Sequence, residues 1–217
     1  MKGIIFFAVT SFLAGVQATG IPTARKELEA DIGEHKGYSS TYVRWGRTKC
    51  RGDDTELVYK GFAGGSHYTQ YGGAADFLCL PEVPTWGTNI AAVYMGLIYG
   101  AEYELTSGHH PFSTVSANDD VPCSVCRTPR ATTIMIPAKS NCYQGWIQEY
   151  TGYLMSGYYG HAGPTNYVCV DARPEAVFRG SPDHNGHLMY MVQASCGSLP
   201  CPPYVEGRVI ACVVCSK

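Results

Sequence analysis

Ten cysteines with a repeating spacing constrain this chain more than any other feature of its 217 residues. Eight of them form pairs at a nearly fixed offset: Cys50 to Cys142 is 92 residues, Cys79 to Cys169 is 90, and Cys123 to Cys212 and Cys126 to Cys215 are 89 each. The other two, Cys196 and Cys201, have no such counterpart. An offset this constant is typical of an internal repeat.

The residues around these cysteines repeat as well. Residues 59–62 (YKGF) match 150–153 (YTGY), residues 77–80 (FLCL) match 167–170 (YVCV), and residues 121–126 (VPCSVC) match 210–215 (IACVVC). We therefore expect two pseudo-twofold-related halves, about 41–130 and 131–217, each with two equivalent disulfides. Cys196 and Cys201 would then form a local bridge found only in the second half. The spacing leaves the partners within a half open, and an exchange of segments between halves would obey it too.

The N-terminus indicates export. Lys2 precedes an apolar run at 3–16, and the run ends in the small or short residues Val16, Gln17 and Ala18, which signal peptidase accepts. Residues 1–18 are thus predicted to be a signal peptide, which predicts a secreted, extracellular protein. The run is too short to span a bilayer unaided, and no other apolar stretch approaches that length, so no membrane span is expected.

An even number of cysteines in an oxidising compartment predicts five disulfides. The two CxxC pairs, Cys123 with Cys126 and Cys212 with Cys215, would suggest zinc in a cytosolic protein. In an exported protein these cysteines are expected to form disulfides instead, so neither a metal nor a cofactor is predicted. Redox catalysis is disfavoured because neither pair lies between a strand and a helix. Without Lys2 the chain has 15 basic and 18 acidic residues, with no clustered basic face for nucleic acid.

The composition favours an all-β, disulfide-rich fold. The chain has 25 glycines and 16 tyrosines but only 16% charged residues, as expected of many strands and turns. The polar N-terminal arm at 19–40 includes one short helix candidate at 24–32, ended by Gly33. The Gly-rich stretch 61–73 is predicted to be a loop. Strands are predicted at 41–45, 55–59, 77–80, 91–99, 132–136, 146–155, 167–170, 188–193 and 208–214.

Several motifs resemble a known family. Residues 136–142 (IPAKSNC), Gly145 with Trp146, and residues 150–153 are similar to the opening of a type IV collagen non-collagenous subdomain. A fuller set, residues 41–47 (TYVRWGR), 64–68 (GGSHY) and 197–204 (GSLPCPPY), resembles the C-terminal domain of invertebrate short-chain, spongin-like collagens. This resemblance covers about residues 41–217. It implies an extracellular, disulfide-bonded β domain that nucleates chain assembly or lies in a matrix.

The chain departs from collagens in having no Gly-X-Y repeat. A triple helix needs glycine at every third position, so this domain cannot trimerise a collagen stem of its own. Assembly through the domain itself, including homo-oligomer formation, remains open.

Arg51, Gly52 and Asp53 follow Cys50 in a predicted turn. Integrins recognise such a tripeptide, because its carboxylate completes a divalent metal site and its guanidinium enters an acidic pocket. The alternative is a chance tripeptide in which Asp53 serves only the turn.

Exposed aromatic residues in Gly-rich loops are typical of glycan or matrix-polymer sites, since flat rings stack on sugar faces. Tyr68, Tyr71, Tyr158 and Tyr159 are the candidate ligand-facing residues. The alternative is that these tyrosines cover the edges of small sheets.

Other polar groups do not form a recognisable site. The acidic runs 53–56 and 118–120 lack the spacing of a calcium loop and are interpreted as solvated turns. The histidines lack HExxH spacing, no GxSxG is present, and the even cysteine count leaves no obvious free thiol. We therefore expect no enzyme. The leading hypothesis is a structural or assembly protein of an extracellular matrix, skeleton, shell or adhesive secretion. The alternative is a secreted lectin-like or integrin-binding recognition module.

Overall fold

A computed structural model describes residues 37–88 and 94–217. The predicted signal peptide at 1–18 and helix at 24–32 lie outside these ranges. The described residues form ten β-strands and no α-helix, which confirms the all-β prediction. Accordingly, these two ranges contain no helix that is long and apolar enough to cross a membrane.

The two halves have the same strand order. The first half contains β1 (Ser40–Trp45), β2 (Glu56–Gly65), β3 (Leu78–Pro81), β4 (Tyr99–Glu104) and β5 (Pro122–Thr128). The second contains β6 (Thr133–Pro137), β7 (Ile147–Ser156), β8 (Val168–Asp171), β9 (His187–Met191) and β10 (Ala211–Ser216). In the first half β5 pairs with β1 and β2, and β2 also pairs with β3 and β4, all antiparallel. The second half repeats this pattern, with β10, β6, β7, β8 and β9 in the corresponding places.

The disulfides follow the same plan. The predicted pattern of two bridges in each half and one local bridge is confirmed, and the pairs are Cys50–Cys126, Cys79–Cys123, Cys142–Cys215, Cys169–Cys212 and Cys196–Cys201. No cysteine is free. The halves are thus built alike, and duplication as the origin of this likeness stays a prediction from the sequence.

Parallel pairing joins the halves. β1 lies beside β8, with Trp45 opposite Val170, and β4 lies beside β9. Because β7 pairs with both β8 and β9, seven strands close into a ring in the order β7, β8, β1, β5, β2, β4, β9. Strands β3, β6 and β10 lie outside this ring. Of these, β3 pairs only with β2, and β6 pairs only with β10.

The core is shared by both halves. Its main hydrophobic cluster contains side chains from each half, including Trp45, Phe77, Tyr103, Met155, Val170 and Met189. Burying an apolar side chain of this size contributes about 1.5 to 3 kcal/mol. Neither half therefore buries a complete core of its own.

Glycine at two equivalent positions lets a short strand cross a long one closely. A Cβ on Gly61 would lie 1.7 Å from the Leu80 carbonyl oxygen, and one on Gly152 would lie 1.7 Å from the Val170 carbonyl oxygen. The loop prediction for 61–73 is therefore wrong at its start, because Gly61 to Gly65 continue β2. These glycines mark close backbone approach rather than a flexible loop.

One further strand prediction is corrected, and one strand was missed. The strand predicted at 91–99 is wrong over residues 94–98, which lie outside any strand, while β4 begins at Tyr99. Strand β5 was not predicted, although its sequence matches that of β10. Pro122 opens β5 and short polar residues interrupt its apolar pattern, so its position between β1 and β2 is set by cross-strand pairing.

Candidate binding surfaces

The turn between β1 and β2 presents Arg51, Gly52 and Asp53 at the surface. All three residues are exposed. Gly52 has a φ of +82°, a conformation that favours glycine. The Thr55 hydroxyl donates a hydrogen bond to the Arg51 carbonyl oxygen at 2.5 Å, which closes the turn.

This turn is held at both ends. The Cys50–Cys126 disulfide ties its start to β5. At its end, Arg130 Nη1 donates to Asp54 Oδ2 at 2.6 Å, and this hydrogen bond lowers the pKa of Asp54. In contrast, the Arg51 and Asp53 side chains make no hydrogen bond or ion pair with any residue that the structure describes.

A second surface is the aromatic cluster, defined as His67, Tyr68, Tyr99, Tyr158, Tyr159, His161 and Tyr190. The Tyr68 ring stacks on His67 at 4.6 Å between centroids and lies 4.5 Å from His161. His161 also contacts Tyr158 and Tyr190, and the Tyr158 and Tyr159 rings are 4.3 Å apart. Tyr68 and Tyr158 occupy equivalent positions of the repeat, so the cluster joins corresponding loops of the two halves.

Burial disfavours the charged form of two members of the cluster. It lowers the pKa of His161 and, with a smaller effect of Glu104, raises the pKa of Tyr190 to about 12. Ser66 directly precedes the cluster in the sequence, and its carbonyl oxygen accepts a hydrogen bond from His187 Nδ1 at 2.5 Å. Its Nε2 is buried without a partner among the described residues, and burial lowers the pKa of this histidine.

Three of the four predicted ligand-facing tyrosines come together here. Tyr68, Tyr158 and Tyr159 belong to the aromatic cluster, whereas Tyr71 is exposed and makes no ring contact within the described ranges. The sequence interpretation missed His161 and Tyr190 as members. A signal for His161 was present, since it occupies the repeat position of Tyr71, whereas only the fold brings Tyr190 close.

A third surface is the open face of the first half, defined as the face of β2 and β3 that carries Tyr59. Tyr59 is 38% exposed, but its counterpart Tyr150 is 2% exposed. Leu78 of β3 lies on the opposite face, since it pairs with Gly64, whereas Tyr59 shares its face with Gly61 and Ala63. In the described parts of the segment after β3, 82–88 and 94–98, the exposed apolar residues are Val83, Trp86, Tyr94, Met95, Leu97 and Ile98.

Strand β1 covers the corresponding face of the second half. The Tyr150 hydroxyl lies 3.0 Å from the Val43 carbonyl oxygen, and the Tyr42 and Arg44 side chains lie against its ring. The hydroxyl also lies 2.8 Å from the Cys169 carbonyl oxygen, a contact that Tyr59 repeats with Cys79 at 2.9 Å. The Tyr59 face of the first half and the Tyr150 face of the second half thus share this contact. Within the described chain, only the Tyr150 face is covered by another strand.

The segment after β8 is also fixed to the first half. Glu175 Oε2 accepts hydrogen bonds from the Thr48 amide at 2.9 Å and the Thr48 hydroxyl at 2.7 Å. The Glu175 amide donates to the Gly46 carbonyl oxygen at 2.6 Å. The described residues of the corresponding segment after β3, 82–88 and 94–98, are exposed.

Strand β6 is the counterpart of β1, and among the described strands it pairs only with β10. Tyr42 pairs with Cys126 across the sheet, and Ile134 pairs with Cys215 in the same way. The Thr133 hydroxyl also donates to the Thr41 carbonyl oxygen of β1 at 3.1 Å. Ile134 and Met135 are partly exposed beside a groove of about 250 Å³ that Tyr42 and Tyr167 also line. The second half therefore presents a partly exposed apolar strand that has the position of β1.

The acidic and histidine groups stay dispersed. Asp54 and Glu56 pair with Arg130 and Arg127, and Asp119 accepts a hydrogen bond from the Ser116 amide. Within residues 37–88 and 94–217, no three His, Cys, Asp or Glu side chains converge as metal ligands would. Neither the family models nor the curated proteins compared with this chain give a match.

Proposed function

We propose that this protein is a secreted building block of an extracellular matrix, skeleton, shell or adhesive secretion, and that it assembles by binding further copies of itself. The open face of one copy would receive strand β6 and its flanking residues from the next copy. The observation that carries this proposal is the difference in burial between the equivalent residues Tyr59 and Tyr150.

The pairing within one chain supplies the geometry. Strand β1 covers the face formed by β7 and β8, so β6, its counterpart, suits the face formed by β2 and β3. In the same chain β3 and β6 are not neighbours, because β10, β7, β8, β1, β5 and β2 lie between them in the sheet. A second copy can bring them together, and the Tyr59 ring would then be covered as Tyr150 is.

Such a contact is heterologous, because it joins two different surfaces. Repetition of a heterologous contact gives a closed ring or an open chain of copies. Both surfaces carry exposed apolar side chains, and exposed apolar patches commonly mark protein interfaces. The five disulfides and the resemblance to collagen C-terminal domains also support an extracellular assembly role without catalysis.

Light scattering on the oxidised full chain tests this proposal through its native mass. We expect the wild-type chain to be larger than one copy and Tyr59→Arg or Met135→Arg to be monomeric, because each places a charge in one of the two surfaces. Phe178→Arg is the matched control, since Phe178 is exposed but belongs to neither surface. A monomeric wild-type chain at high protein concentration would refute the proposal.

Mixing the two variants tests the head-to-tail geometry. Tyr59→Arg retains its β6 edge and Met135→Arg retains its open face, so an equimolar mixture should form dimers and nothing larger. If each variant alone still forms the wild-type assembly, these surfaces are not the interface.

Glycan binding by the aromatic cluster is a second candidate function. It is favoured by the convergence of Tyr68, Tyr158 and Tyr159 at one surface, with the Tyr159 ring 93% exposed. Ring faces of this kind stack on sugars, and the phenol groups offer hydrogen bonds. A glycan array should show a defined binding profile that Tyr159→Ala abolishes and Tyr71→Ala preserves, since Tyr71 lies outside the cluster. A flat array for the wild-type chain would exclude this candidate.

A further inference from the structure

We propose that the turn carrying Arg51, Gly52 and Asp53 is an adhesive site for integrin-type receptors, which bind a ligand carboxylate through a divalent cation and a ligand guanidinium in an acidic pocket. This inference does not depend on self-assembly. It rests on the charges, ties and internal counterpart of the turn.

The structure selects one carboxylate of this acidic segment as the available one. Asp54 is paired with Arg130 at 2.6 Å, and Glu56 is paired with Arg127 at 2.9 Å. Asp53 has no such partner within the described ranges, and its side chain is exposed. A divalent cation takes oxygen ligands, so a carboxylate without an internal cation is the one that a metal-containing receptor can bind.

The turn is ordered before any receptor binds. The Cys50–Cys126 disulfide, the Thr55 to Arg51 hydrogen bond and the Asp54–Arg130 pair restrain it from both sides. The restraints act on neighbouring groups and leave the Arg51 and Asp53 side chains exposed. A ligand that is restrained near its bound conformation loses less conformational entropy on binding and binds more tightly.

The second half shows that the fold does not need this tripeptide. Its corresponding turn also begins at a disulfide-bonded cysteine, Cys142, and also has a glycine with positive φ, Gly145 at +83°. Tyr143 and Gln144 stand where the first half has Arg51 and Gly52, and no acidic residue follows before β7. A turn one residue shorter, with a different set of side chains, connects the equivalent elements in the second half, so this connection does not explain the Arg51 and Asp53 charges.

Binding to a purified Arg-Gly-Asp-dependent integrin ectodomain in Mn²⁺ buffer tests the proposal. The oxidised full chain is immobilised, and we expect saturable binding that EDTA and a soluble Arg-Gly-Asp peptide both abolish. Asp53→Glu keeps the charge but lengthens the side chain, and it should weaken binding at least tenfold. Tyr143→Ala, in the corresponding turn of the second half, should bind as the wild-type chain does.

Two further variants separate this site from general effects. Replacing Cys50 and Cys126 together by alanine leaves the tripeptide in place but frees the turn, and we expect weaker binding. Met135→Arg should bind fully, since it alters only the proposed assembly surface. Circular dichroism checks that each variant is folded. Absence of binding by the wild-type chain, or binding that survives Asp53→Glu or EDTA, would overturn the proposal.

Discussion

Arg44 on β1 binds Asp171 on β8 through two hydrogen bonds, from Nε at 2.9 Å and from Nη2 at 2.6 Å, both to Asp171 Oδ2. Both side chains are buried, and they belong to different halves. Arg44 Nη1 also donates to the Lys49 carbonyl oxygen, and Asp171 Oδ1 accepts from the Arg173 amide. The charges of both groups are therefore satisfied, and the pair fixes β1 against the face that it covers.

Removing one partner of this pair should destabilise the fold strongly. Arg44→Met leaves the Asp171 carboxylate buried without its cation, and such a loss costs about 3 to 5 kcal/mol. Arg127→Met removes one partner of the exposed pair with Glu56 and should cost no more than about 1 kcal/mol. Urea unfolding of the oxidised proteins measures both values, and equal losses would contradict this account of the pair.

Disulfide removal should cost more for the long loops than for the short one. Cys50 and Cys126 are 76 residues apart, whereas Cys196 and Cys201 are 5 apart. Loop-closure entropy predicts a loss of about 4.5 kcal/mol for the first pair and about 2 kcal/mol for the second. Each pair is replaced by two alanines, and urea midpoints give the comparison. A larger loss for the short loop would show that native packing, not chain entropy, dominates.

Stability should fall as the pH falls below about 6.5, the usual pKa of an unfolded histidine. Burial lowers the pKa of His187, and of His161, in the folded state, so the unfolded chain binds protons more readily in this range. Stability therefore rises with pH up to that value and is fully present above it. The neutral form of His187 carries its proton on Nδ1, which donates to the Ser66 carbonyl oxygen. A second proton, on Nε2, would have no acceptor among the described residues.

His187→Gln should reduce this pH dependence, and His109→Gln, at an exposed position, should not. The measurement is the difference in unfolding free energy between pH 5.5 and pH 7.5. An unchanged difference in His187→Gln would assign the effect to other groups.

Gly61→Ala should be one of the most damaging small substitutions in the chain. The added methyl group would lie 1.7 Å from the Leu80 carbonyl oxygen, so β3 would have to move away from β2. We expect a loss of at least about 3 kcal/mol, the upper range for overpacking. Gly72→Ala meets no atom within 4 Å and serves as the control in thermal unfolding. Similar melting temperatures for the two variants would contradict the close crossing.

The sequence was informative where structure depends on neighbours along the chain. The cysteine spacing predicted two bridges in each half, and runs bounded by turn residues predicted β1, β6 and β7 closely. The parallel pairs that join the halves were not predicted, because the partners of Trp45 and Ala101 lie over 80 residues away and no local pattern encodes them. The glycines of β2 were misinterpreted because their role depends on how closely β3 approaches.

The candidate surfaces divide in the same way. The exposed turn at Arg51 was predicted because its residues are contiguous. The availability of Asp53 was not, since it depends on Arg130 and Arg127 occupying the neighbouring carboxylates. The open face was not predicted either, because Tyr59 and Tyr150 lie in similar local sequences and differ in which residues of the fold cover them.

All five disulfides lie within a half, and this limits how far the molecule can stretch under tension. With bridges intact, a pull on the ends of the described domain loads only the covalent path through residues 37–50, 126–142 and 215–217, because Cys50–Cys126 and Cys142–Cys215 bypass the rest. At about 3.5 Å per residue that path has a contour length of about 120 Å, against about 630 Å for the reduced chain. An oxidised copy in a loaded fibre would therefore yield by separating its halves and then stop, about fivefold short of full extension.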